Sequence, residues 1–121
     1  MSVTVRTIGT KTILEGELGS PLLMSPEDIV DLIGTCFENG ATSLLLYTEN
    51  LTEHFFDLSS GEAGTILQKL RQYHIKFAVV LSPHGPQPST MFRELLKEEK
   101  KGPDFRVFSD RDTAEAWLAM L

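Results

Sequence analysis

Two stretches of the chain gather the side chains able to do chemistry. Glu49, Asn50, Glu53, His54, Asp57, Ser59 and Ser60 share one polar interval, and His84 lies in a second, residues 82–88, that carries three prolines. A histidine beside a carboxylate such as Asp57 or Glu49 can exchange a proton near neutral pH. A seryl hydroxyl can accept phosphate, and free N–H groups at a helix start can hold an anion. The same side chains have plainer uses. Asp57, Ser59 or Ser60 can cap a following helix, and Glu49 and Asn50 can satisfy loop backbone. No nucleophile-and-base spacing and no paired metal-ligand spacing accompanies the histidines. Gly61-Glu62-Ala63-Gly64 lacks the Lys-Ser/Thr ending of a phosphate loop. No catalytic residue, metal or cofactor is therefore expected. The candidate binding residues are Glu49, Asn50, Glu53, Phe55, Asp57, Ser60 and His84, and Ser59 is a candidate phosphorylation site.

The elements that must position these residues follow from apolar periodicity. Val3 to Ile8 and Lys11 to Glu15 read as strands, with Gly9-Thr10 as a tight turn. Ser25-Pro26-Glu27-Asp28 reads as a helix start capped by Ser25. Ile29, Leu32, Ile33, Cys36 and Phe37 then recur at helical spacing up to Asn39-Gly40. Ser43 to Tyr47 is nearly all apolar, as in a strand covered on both faces. A second helix runs from about Ser60 with Ala63, Ile66, Leu67, Leu70 and Tyr73 at helical spacing, and Lys76 to Leu81 is another buried strand. Ser89 begins a third helix, Phe105 to Phe108 is a last strand, and Ser109 with Asp112 suggests the cap of a final helix carrying Ala114, Trp117 and Leu118. The order β-β-α-β-α-β-α-β-α predicts one α/β domain over residues 1–121. Its sheet is mostly parallel, with an N-terminal hairpin supplying an antiparallel edge strand. Ile29, Ile33, Phe37, Leu45, Ile66, Leu70, Val79, Val107 and Trp117 are expected in one core.

Composition narrows the function classes. Of 121 residues, 41% are hydrophobic and 23% charged, an ordinary globular balance. Acids outnumber Lys and Arg by 17 to 11, giving a net charge of −6. That balance argues against general nucleic-acid binding and against an anionic membrane surface. No apolar run reaches the ~20 residues of a membrane span. The opening MSVTVRTIGTK has neither the basic nor the long apolar region of a secretion signal, so a cytoplasmic chain is expected. The single cysteine, Cys36, allows no intrachain disulfide and falls on an apolar helix face, where an unreactive thiol is expected. Without secretion, the glycosylation triplet Asn50-Leu51-Thr52 is idle.

The most distinctive segment is Phe55-Phe56-Asp57-Leu58-Ser59-Ser60-Gly61-Glu62-Ala63-Gly64-Thr65-Ile66-Leu67-Gln68-Lys69-Leu70. With Glu49-Asn50 before it and Phe77-Ala78-Val79-Val80 after it, the chain resembles the bacterial domain of unknown function 4180 family over nearly its whole length. That resemblance implies no activity. A more distant likeness is to the STAS (SpoIIAA-like, anti-anti-sigma factor) domains, which carry an Asp-Ser-Ser-Gly-type motif where a helix follows a central strand. Their motif serine is phosphorylated to switch partner binding. Ser59-Ser60-Gly61 occupies the comparable place, although Leu58 separates Asp57 from the serine pair. The likeness implies a STAS-like fold and a phosphoswitch at Ser59.

In an open α/β sheet, ligands meet the loops at the carboxyl ends of parallel strands. Residues 48–60 and 82–88 are two such loops. Two functions follow. One is a non-enzymatic regulatory or protein-interaction domain, with Leu51, Phe55 and Phe56 as an apolar contact rimmed by carboxylates, the partner being another protein or a second copy. The alternative is a small-molecule-binding protein or small enzyme using the same loops. A closed, polar concavity at this edge favours the second reading, and a flat apolar surface favours the first.

Overall fold

The computed structural model describes residues 2–121. Two strands, β1 (Val3–Ile8) and β2 (Lys11–Gly16), precede α1 (Asp28–Asn39) and β3 (Ser43–Tyr47). There follow α2 (Glu62–Gln72), β4 (Lys76–Val80), α3 (Thr90–Glu99), β5 (Phe105–Phe108) and α4 (Arg111–Met120). The sheet has five strands in chain order, with β1 antiparallel to β2 and the other pairings parallel. This is the mostly parallel α/β arrangement that the periodicity predicts.

Local chemistry explains the register. Ile8 pairs with Lys11 across the two-residue turn, and Gly9 takes the positive φ of 61° that such a turn needs at its first position. Parallel crossovers share one hand, so α1, α2 and α3, joining sequential strands, fall on one face. The helix after β5, α4, takes the other. Strand β3 therefore buries both of its faces. Leu44 and Leu46 join α1, α2 and α3, whereas Leu45 and Tyr47 join Ala114, Trp117 and Leu118 of α4.

That split corrects the expected single core: Leu45 and Trp117 belong to the α4 side, while Ile29, Ile33, Ile66, Leu70 and Val79 belong to the other. Phe37 belongs to neither and is 59% exposed. Ile29, Leu32, Ile33 and Cys36 complete the inward stripe of α1, and one further residue turns the side chain outward. There Phe37 meets the Tyr73 ring edge-on at 5.7 Å.

Two caps also differ from expectation. Helix α1 begins at Asp28, whose carboxylate accepts the N–H groups of Met24 and Ser25 at 3.0 and 3.2 Å. Ser25 and Pro26 form the turn before it, and their carbonyls receive the N–H groups of Asp28 and Ile29. At α4 the cap is Asp110, which accepts from the Thr113 N–H at 2.8 Å, in place of Ser109. A carboxylate one residue later fits the first turn better, since it aims along the helix axis at the free N–H groups. Ser89 caps α3 as expected, accepting from the Phe92 N–H at 3.1 Å. Cys36 is buried, and burial pushes its thiol up to about 11. Among the described residues, no helix is long and apolar enough to cross a membrane.

Candidate functional site

The polar interval after β3 is more ordered than a loop. It forms three short 3-10 turns, Thr48–Asn50, Glu53–Phe56 and Leu58–Ser60. Asn50 is fully buried and ties three segments together. Its Oδ1 accepts the Tyr47 N–H at 2.7 Å, and its Nδ2 donates to the carbonyls of Glu17 at 2.8 Å and Ser20 at 2.7 Å. Its own carbonyl receives the N–H groups of Leu22 and Leu23. A Cβ on Gly16 would lie 2.6 Å from Asn50 Oδ1, so the backbone of β2 must lack a side chain there. Thr48 performs the same service on the other side, its Oγ1 accepting the Ser82 N–H at 2.8 Å. Between these two buried anchors, Glu49 is exposed.

Phe55 does not offer a contact. Phe55 and Phe56 are each 1% exposed and pack edge to face at 5.3 Å, in an aromatic group with Phe77, Phe92 and Phe105. Adjacent residues in a 3-10 turn point about 120° apart, so both can enter one core where strand neighbours could not. Leu51 is buried as well. The expected apolar contact at 48–60 is therefore absent: its hydrophobic members face inward.

The remaining candidates stay on the surface and serve the backbone. Asp57 Oδ1 accepts both the N–H and the hydroxyl of Ser59, at 3.1 and 2.7 Å. The Ser60 hydroxyl donates to the His54 carbonyl at 2.6 Å and accepts the Glu62 N–H at 3.2 Å. Glu53 and His84 are exposed, and the His84 N–H donates to Ser82 Oγ at 3.3 Å. None of Glu53, His54, Asp57, Ser60 and His84 lines the concavity at the strand ends.

The concavity at the carboxyl ends of the strands lies on the α4 face. It is a cleft of about 570 Å³ that takes in Arg6, Glu15, Tyr47, Glu49, Ser82 and Arg111. Of the residues singled out in the sequence, only Glu49 reaches it. The floor is a cluster of paired charges. Glu15 is 8% exposed, and its Oε1 accepts from Arg6 at 2.6 Å and from Arg111 at 2.9 Å. Its Oε2 accepts the Tyr47 hydroxyl at 2.6 Å. Glu115 closes the set by pairing with both Arg6 and Arg111.

Three donors make a buried carboxylate tolerable. Burial acts most strongly on Glu15 and would push its carboxyl up, but hydrogen bonds from Tyr47, Arg6 and Arg111 together hold it below its ordinary value. Burial, and then the bond to Glu15, pushes the Tyr47 phenol up to about 12. The pair is a fixed ion and a fixed donor, poorly placed to exchange protons near neutral pH. Among the described residues, no group of three or more His, Cys, Asp or Glu is placed to hold a metal.

Arg6, Glu15, Tyr47 and Arg111 were not singled out from the sequence, although a signal existed. In the hairpin register Thr4 faces Glu15, which makes Arg6 and Glu15 diagonal neighbours on one face. An acid in the otherwise apolar run Ile13-Leu14-Glu15 requires such a partner.

Fold and cleft together define a mixed α/β domain with a ligand-sized depression at the carboxyl end of its sheet. Residues 8–118 match the family model described as Domain of unknown function (DUF4180), and the chain belongs to that family. No curated protein and no solved structure matches the chain.

Proposed function

We propose that the protein binds a small organic molecule in the strand-end cleft. The observation that carries this reading is a cleft of about 570 Å³ over a buried, fully paired carboxylate. Its volume falls within the ~300–1,000 Å³ usual for small-molecule sites, and it lies where open α/β sheets bind ligands. Walls held by the buried side chains of Asn50 and Thr48 keep it formed before a ligand arrives, which limits the ordering cost of binding. Glu15 and Tyr47 are locked to each other, so the reading is binding without turnover. A buried, reduced Cys36 suits a cytoplasmic setting.

The test is a fragment screen followed by amide chemical shifts of the whole chain. Ligands should move the signals of Tyr47, Glu49, Ser82 and Ser109, and a Ser109→Trp variant, with an indole in the cleft, should lose those responses. Shifts confined to other surfaces would overturn the proposal.

A regulatory contact is the second reading, favoured by the exposure of Glu53, His54, Asp57 and Ser59 along consecutive turns. The order of elements supports a STAS-like relationship for it, with another protein or a second copy as partner. A phosphate on Ser59 would sit beside the Asp57 carboxylate that now holds its hydroxyl, so phosphorylation should loosen the Leu58–Ser60 turn. Phosphopeptide mapping of protein from its own cells, with a Ser59→Ala control, tests it. Unmodified Ser59 in every growth condition would remove that switch.

A further inference from the structure

The cleft has an unequal supply of partners. Both of its cations are already engaged, Arg6 with Glu15 and Glu115, and Arg111 with the same two carboxylates. Glu17 and Glu49 also line the cleft, both are exposed, and neither side chain has a hydrogen bond or ion pair among the described residues. A ligand therefore meets three carboxylates, Glu15, Glu17 and Glu49, and two guanidinium groups, with Glu115 behind the arginines. An anion would have to share the two guanidinium groups with Glu15 and Glu115 and lie beside the unpaired acids Glu17 and Glu49. A cation meets Glu17 and Glu49 with no such competition.

The walls add a second requirement. Leu18, Val80, Leu81 and Pro83 line the same cleft, and Leu18 is 70% exposed, with no side chain covering it. Glu17 and Leu18 are adjacent in the segment whose backbone Asn50 grips through the Glu17 and Ser20 carbonyls. Glu49 stands between two buried residues on a one-turn 3-10 segment. Acid and apolar groups are thus presented from backbone that is already fixed, which favours a ligand having both kinds of surface.

We propose that the cleft takes a small organic amine, its ammonium group meeting Glu49 and Glu17 at the rim and its apolar body lying on Leu18, Leu81 and Pro83. The assignment rests on the reading of this cleft as a binding site. It places recognition on the unpaired acids and gives the Arg6–Glu15–Arg111–Glu115 set a positioning role, as a neutral floor that repels neither end of the ligand.

Three probes of one shape separate the possibilities: benzylamine, benzyl alcohol and benzoate, each titrated into the full chain and followed by the amide signals of Leu18, Glu49, Ser82 and Ser109. Benzylamine should bind most tightly, benzyl alcohol more weakly, and benzoate least. Glu49→Gln should weaken benzylamine by about 5-fold, the size of one partly exposed ion pair, and leave benzyl alcohol unchanged. Glu53→Gln removes the same charge outside the cleft and should have no effect. Added salt should weaken benzylamine alone. Benzoate or benzyl alcohol binding as tightly as benzylamine at these amides would overturn the amine assignment while keeping the cleft as a site. Equal losses in the two glutamine variants would do the same. Failure of all three probes to move any cleft amide would overturn the cleft reading itself.

Discussion

On the face covered by α1, α2 and α3, five phenylalanines pack ring against ring behind the parallel strands. The opposite face sets a carboxylate, a phenol and two guanidinium groups beside a much smaller apolar patch. Helix count explains the contrast. A five-stranded sheet is roughly 20 Å across, and one helix with its side chains covers about 10 Å of it. Three helices close the first face. The ten residues of α4 span only about 15 Å and leave the strand ends of the second face open. Charges are tolerable there because Glu15 is paired with three donors and its arginine partners reach the open edge, and the uncovered area is the cleft. One face is thus specialised for stability, and incomplete cover makes the other available for binding.

The largest test of that contrast lies at Phe55. Phe55→Ala should lower stability by about 3–5 kcal/mol, since the vacated volume is walled by other rings and cannot collapse fully. Thermal or denaturant unfolding measures it. A loss below about 1 kcal/mol would mean that the aromatic face is not the stabilising one.

Glu15→Gln should cost less, about 1–2 kcal/mol at neutral pH, because its arginine partners remain partly hydrated and keep Glu115. Its pH dependence is the sharper measurement. A carboxyl held below its ordinary value stabilises the fold above the unfolded value, near 4.5, and that contribution is lost as pH falls through the lower folded value. The gap between the native chain and Glu15→Gln should be constant from pH 6 to 8 and shrink below about pH 4. A gap that widens in acid would contradict the fixed-ion description.

The smallest effect is expected at Phe37. Its ring touches Tyr73 from an exposed position, so Phe37→Ser should change stability by less than about 1 kcal/mol. A larger loss would mean that the contact of Phe37 with Tyr73 contributes to the core.

Strands and helices were legible because burial imposes a period on them. The nearly all-apolar run Ser43–Tyr47 and the spacing Ala63, Ile66, Leu67, Leu70 both became the elements they predicted, although Tyr73, the last residue of that spacing, falls just past α2 and is 40% exposed. Side-chain destination was less legible where the backbone left the regular menu. Phe55 and Phe56 read from the sequence as part of an apolar contact in a polar loop, because adjacent residues in a strand would point apart and leave at most one of them in the core. A 3-10 turn sends both inward. The acids and histidines of 48–60 attracted functional readings since capping and catalysis use the same residue types. Asp57 and Ser60 prove to hold backbone. The charged floor was missed for the reverse reason. Its members are spread over β1, β2, β3 and α4, and no short window contains them. Only the hairpin register joins the first pair, and only the fold brings Arg111 and Glu115 to them.

That spread has a kinetic consequence. Every ladder of the sheet joins strands that are neighbours in sequence, so the loops closed during early assembly are short. The bonds from Arg111 to Glu15 and from Arg6 to Glu115 instead bridge 96 and 109 positions. Contacts so distant form after the sheet, on the native side of the folding barrier. The charged floor therefore acts as a clasp on an already assembled body. Removing it should leave the refolding rate almost unchanged and raise the unfolding rate, a difference visible in the two arms of a denaturant chevron. The group that shapes the cleft would then also set how long the folded molecule lasts before it opens.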